Sequence, residues 1–69
     1  MKEIEFYVGI DTKDIQQFKD FVKGKDFIKI KSSFDDLHGY YEFTIVGLWD
    51  AYKAFIDQPF VKSLNHYEE

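Results

Sequence analysis

Residues 3–10, EIEFYVGI, alternate, with Ile4, Phe6, Val8 and Ile10 on one side and Glu5, Tyr7 and Gly9 on the other. A period of two belongs to a strand with one buried face. Asp11 or Thr12 then offers a helix N-cap, and Asp14 sits in the first turn, where the helix dipole favours an anion. Ile15, Phe18, Phe21 and Val22 recur at three and four, which predicts an amphipathic helix that stops at Gly24. Residues 26–32 alternate again, with Ile28 and Ile30 facing one way and Phe27, Lys29 and Lys31 the other. The segment SFDDLHG (33–39) is polar, acidic and ends in glycine, so it reads as a hairpin loop. Residues 40–46, YYEFTIV, form a third strand, with Tyr41, Phe43 and Ile45 on one face and Tyr40, Glu42 and Thr44 on the other. After Gly47, LWDAYKAFID gives a second amphipathic helix with Leu48, Ala51, Tyr52 and Phe55 inward.

The tail from residue 58, QPFVKSLNHYEE, supports two readings. Phe60, Val61, Leu64 and Tyr67 fit helical spacing, and Pro59 suits a first helical turn. A strand would put Lys62 on the face of Phe60 and Leu64. A helix over residues 59–69 is therefore the expectation, with a fourth strand as the alternative. The resulting order, β-α-β-β-α plus a final element, is similar to the ferredoxin-like α+β pattern. That resemblance implies an antiparallel sheet with both helices on one face and the other face open.

Strand parity assigns the open face: Glu5, Tyr7 and Gly9, then Phe27, Lys29 and Lys31, then Tyr40, Glu42 and Thr44. FYVGID (6–11) resembles the first signature strand of the RNA-recognition motif, and HGYYEFTI (38–45) looks partly like the second. The resemblance implies base stacking on Tyr7 and Tyr40. Where that motif has a second stacking aromatic this chain has Glu42, and where it has a basic residue before the glycine it has His38. Stacking tolerates any base, but affinity also needs cations that displace counterions. Direct nucleic-acid binding is thus the second choice. LWDAYKAFIDQPFVKSL is similar to the second-helix region of dimeric ferredoxin-like α+β barrels, in which two open faces pack together. On that reading Tyr7, Phe27, Lys29, Lys31, Tyr40 and Glu42 form a homodimer or partner face, and an exposed strand edge is the other route to a dimer.

Composition narrows the chemistry. The 69 residues make one small domain, without cysteines for disulfides, thiolate metal sites or a nucleophile. Aromatic residues are 20% of the chain, and large rings suit a tiny core. No apolar run approaches the length of a membrane span, and the chain opens on a charged MKEIE. Neither a span nor a signal peptide is expected, and the cytoplasm is the default location. The α+β barrel group includes small oxygenases, isomerases and haem-handling enzymes, whose chemistry leans on a His, Asn or acid. The counterparts here are His38, His66, Asn65 and Asp50, none of them in a metal-ligand spacing. A non-enzyme without a cofactor is the expectation, and a small barrel enzyme the third option.

Charge supplies the preferred reading. Thirteen carboxylates against nine lysines, with no arginine, leave a net charge of −4. Asp11, Asp14, Asp35, Asp36, Asp50, Asp57, Glu68 and Glu69 stand in loops, helix starts and the tail. They form a solvated surface that suits a basic partner protein. In size and charge the chain is similar to virus-encoded inhibitors of host proteins, some of which imitate DNA. A non-catalytic, homodimeric interaction protein that inhibits or regulates a basic, DNA-binding partner is the functional expectation.

Overall fold

The computed structural model describes residues 2–66. The elements run β1 (Ile4–Asp11), a 3-10 turn (Thr12–Asp14), α1 (Ile15–Val22), β2 (Lys29–Asp35), β3 (Tyr40–Gly47), α2 (Trp49–Ile56) and β4 (Val61–His66). The four strands form one antiparallel sheet in the order β2-β3-β1-β4. Each helix therefore joins two strands that have a third between them, the split βαβ arrangement of a ferredoxin-like α+β fold.

β1 carries the alternation into the core. Phe6, Val8 and Ile10 are fully buried, and β3 adds Phe43 and Ile45 on the same side. The helices cover that side with Phe18, Ala51 and Phe55, and Phe60 closes it. Phe18 stacks on Phe43 with ring centroids 4.3 Å apart and also meets Phe55 and Phe60 at 6.1 and 6.2 Å. Offset and edge-on ring packing of this kind adds to the area burial itself. It gives eight-residue helices, too short to be stable alone, the tertiary contacts they need.

The helix boundaries follow from local chemistry. After α1, the Lys25 N–H donates to the Val22 carbonyl (3.0 Å), with Lys23 at φ −61°, ψ 126° and Gly24 at φ +80°. That is a type II turn, whose third position requires positive φ and so favours glycine. The α1 cap differs from expectation. Asp11 and Thr12 lead into a 3-10 turn, α1 starts at Ile15, and no side chain caps either segment. α2 ends at a turn in which the Val61 N–H donates to the Gln58 carbonyl (3.2 Å). Pro59 holds the second position of that turn, where its fixed φ fits.

The C-terminal segment corrects the helical expectation: residues 61–66 are a strand beside β1. Ile10 pairs with Val61, Gly9 with Ser63 and Val8 with Leu64, so Lys62 is an extra, bulged residue. The bulge sends Val61, Leu64 and His66 to the helix side. An i, i+3 spacing that resembles a helix is therefore the mark of a strand with one residue inserted. Tyr67, Glu68 and Glu69 lie outside the described residues.

β2 needs a second correction. It starts at Lys29 rather than residue 26 and continues to Asp35, so Ser33, Phe34 and Asp35 are strand and not loop. Its register shifts between Ile30 and Ser32, which leaves Lys31 as the extra residue. The shift breaks the alternation, and for that reason the segment's second half reads as a loop in the sequence. Phe27 falls in the preceding turn, closed by the Ile28 N–H on the Lys25 carbonyl (3.1 Å).

Phe18→Ala is expected to cost about 3–5 kcal/mol, the usual range for a buried phenylalanine. In so small a domain that removes most of the stability. Urea denaturation followed by circular dichroism at 222 nm checks it, and a loss below about 1 kcal/mol contradicts the packing described.

Candidate functional site

The face opposite the helices can be built row by row from the strand registers. Lys29 of β2 lies opposite Val46 of β3, which lies opposite Glu5 of β1. Ser32, Thr44, Tyr7 and Asn65 form the next row, and Phe34, Glu42, Gly9 and Ser63 the third. Tyr40 and Asp11 pair beyond that. The structure thus brings Tyr7, Lys29, Lys31, Tyr40 and Glu42 to one face, as strand parity predicts. It removes Phe27, whose turn precedes β2, and supplies Phe34 instead. Phe34 is 65% exposed. The only sequence signal for it is that alternation resumes after Lys31 one residue out of phase.

Tyr40 does not stand up from the sheet. It leans across β1, and its hydroxyl bonds to Ser63 Oγ of β4 at 2.8 Å. Gly9 makes this possible, because a Cβ at that position would lie 1.8 Å from the Tyr40 hydroxyl oxygen. A glycine in a central strand exposes backbone and packs nothing, and here the tyrosine ring covers it.

Three lysines neutralise three carboxylates around this face. Lys29 Nζ is 3.8 Å from Glu3, Lys31 Nζ 3.1 Å from Glu5, and Lys62 Nζ 3.0 Å from Asp11. Tyr7 also donates its hydroxyl hydrogen to Glu5 (3.3 Å). Lys31 and Lys62 are the two bulged residues, one in each edge strand, and both reach inward to β1. Glu42 differs. Its side chain is exposed and makes no hydrogen bond or ion pair among the described residues.

The acidic residues are distributed by topology. β1 ends, and β3 and β4 begin, at one end of the sheet. That end gathers Asp11, Asp14, Asp35, Asp36 and Asp57, while Asp50 opens α2 at the other. Glu68 and Glu69 lie outside the described residues. Asp35 and Asp36 shape the hairpin: their Oδ1 atoms accept the N–H groups of Leu37 (2.8 Å) and His38 (2.9 Å). The Thr12 N–H donates to the Gly39 carbonyl (2.8 Å) and ties the hairpin to the end of β1. A hydrogen bond to Asp35 and its negative charge raise the Tyr41 phenol above its ordinary value of 10.0.

The candidate catalytic groups fall on several elements of the fold. His38 is in the hairpin, Asn65 is on the open face opposite Tyr7, and Asp50 begins α2. His66 lies on the helix side, edge-on to Trp49 (5.3 Å) and Tyr52 (4.9 Å). Among the described residues, no group of three or more His, Asp or Glu could hold a metal ion. None of their helices is long and apolar enough to cross a membrane. No family model, curated protein or solved structure matches the chain.

Two outcomes test this geometry. Gly9→Ala should destabilise the fold markedly alone and less beside Tyr40→Ala, because the second change removes the overlap with the tyrosine (1.8 Å) and leaves that with Ser63 Oγ (2.3 Å), a side chain that can rotate away. The expected coupling is about 1–3 kcal/mol in a double-mutant cycle, and simple additivity contradicts the overlap. For Tyr41, the folded state favours the protonated phenol. Its contribution is fully present below pH 10.0 and is lost as pH rises through the raised folded value. Asp35→Asn should therefore move the Tyr41 titration, followed by its ring carbon-13 shift, down towards the ordinary value.

Proposed function

We propose that the chain is a non-catalytic protein-interaction module that binds a basic partner protein through its open sheet face and the adjoining β2–β3 hairpin. A partner of this kind would be inhibited or regulated by being covered, and a DNA-binding protein fits the charge. The observation that carries this reading is the side of the sheet opposite the helices, where exposed Phe34 stands beside Glu42, whose carboxylate has no partner among the described residues. The hairpin adds to it. All seven residues of β2 are exposed, and Leu37 at the tip is 83% exposed with φ at +66°. A non-glycine residue in the left-handed region costs about 1–3 kcal/mol, and Leu37 recovers little of that by packing within the chain. Use of the tip in binding accounts for such a residue.

Self-association is the companion proposal. Phe34 and Leu37 present apolar surface that a second copy would cover. The lysine bulges blunt both sheet edges, so face-to-face packing is favoured over strand addition. The nucleic-acid alternative keeps one specific observation, Tyr7 and Tyr40 on a single face, and is opposed by Glu42 between Phe34 and Gly9.

One capture experiment separates these readings. The tagged chain is incubated with lysate of its natural source or host, with and without nuclease, and eluted by a salt gradient. A basic protein that stays bound after nuclease and elutes as salt screens exposed charges is the expected result. Loss of all bound material on nuclease treatment, or elution insensitive to salt, overturns the proposal. Sedimentation analysis reports self-association separately, by a mass twice the 8.3 kDa of one chain.

A further inference from the structure

Resting on that reading, we infer that the Phe34–Glu42–Gly9–Ser63 row is a docking site for an arginine side chain of the partner. The row crosses all four strands, with each residue directly opposite the next. Tyr40 lies over Gly9 with its hydroxyl on Ser63, so Glu42 has the Phe34 side chain on one flank and the tyrosine ring on the other. The arrangement is an exposed carboxylate between two aromatic side chains.

Among the carboxylates of the open sheet face, charge singles out Glu42. Glu3, Glu5 and Asp11 already have the chain's own lysines. Glu42 has none among the described residues, and its neighbours across the sheet are Phe34 and a glycine. Phe34 likewise has no ring partner among the described residues. A guanidinium satisfies both at once. Its planar fork donates two parallel hydrogen bonds to one carboxylate, and its flat face stacks on an aromatic ring. A lysine ammonium offers a point charge without the fork or the plane, so the site should discriminate in favour of arginine.

The test uses two synthetic probes, a nona-arginine and a nona-lysine peptide, titrated into the full chain at about 0.15 M salt, where the Debye length is about 8 Å, by calorimetry and by amide shifts. The arginine peptide should bind more tightly, with the largest shifts at residues 9, 34, 40, 42 and 63. Glu42→Gln should weaken it about tenfold, as for loss of a charge-assisted hydrogen bond. Phe34→Ala should weaken it about threefold. Asp26→Asn removes the same charge from a turn at the far end of β2, and should change affinity less than about twofold because exposed charges there are screened. Unchanged circular dichroism confirms that each variant is folded. If Glu42→Gln and Asp26→Asn act alike, binding is diffuse and the arginine site is wrong, while the basic-partner reading stands. If neither peptide binds the wild-type chain, both fall. If Phe34→Ala leaves peptide binding unchanged but halves the sedimenting mass, the row belongs to a second copy and the inference is overturned.

Discussion

The whole arrangement depends on β1 being apolar on one side only. Phe6, Val8 and Ile10 are completely buried, while Glu5, Tyr7, Gly9 and Asp11 look the other way. Because β1 lies between β3 and β4, it is paired along both edges and fixes the register of its neighbours. A slip of one residue would turn all three core side chains to the open face. The helices have one apolar surface to cover, and they cover it with phenylalanines that meet ring to ring above β1 and β3. In a chain this short, a few large rings supply the burial that a bigger domain draws from many aliphatic residues.

The polar side of β1 organises the opposite face just as strongly. Its two ends receive lysines from the two edge strands, Lys31 on Glu5 and Lys62 on Asp11. Each lysine is the extra residue of a bulge. An exposed ion pair of this kind contributes little to stability. The effect of the pairing is geometric: a bulge disrupts the ladder and twists the strand, and a charged side chain there discourages another strand from adding to the edge. Between the two ion pairs, Gly9 lets Tyr40 lie flat. Beside them Phe34 and Glu42 stay exposed, and the Glu42 carboxylate has no lysine partner among the described residues.

That face also shows how a shared fold and a shared chemistry part company. Tyr7 and Tyr40 occupy one face of a ferredoxin-like sheet, yet Tyr40 has its hydroxyl committed to Ser63, and the strand position between Phe34 and Gly9 is acidic. The framework supports stacking on aromatic rings. The charges on it are lysines paired with carboxylates, together with Glu42. The fold decides only where side chains meet, and the side chains decide what they attract.

The sequence by itself determined the elements whose patterns are unbroken: β1, α1, β3 and α2, the side of each that faces the core, and the placing of Tyr7, Tyr40 and Glu42 on a common face. Regular periodicity suffices there, because each apolar position records its own burial. It did not determine the two edge strands. One inserted residue in each changes the phase, so that Val61 and Leu64 acquire helical spacing and Phe34 is lost in an apparent loop. Only the tertiary structure decided those, since a bulge is defined by the partner strand it faces and not by the segment that carries it. The same holds for the pairing of Lys31 with Glu5, 26 positions apart, and of Tyr40 with Ser63, 23 apart. Such contacts depend on which strands the sheet sets side by side, and local pattern carries no record of that.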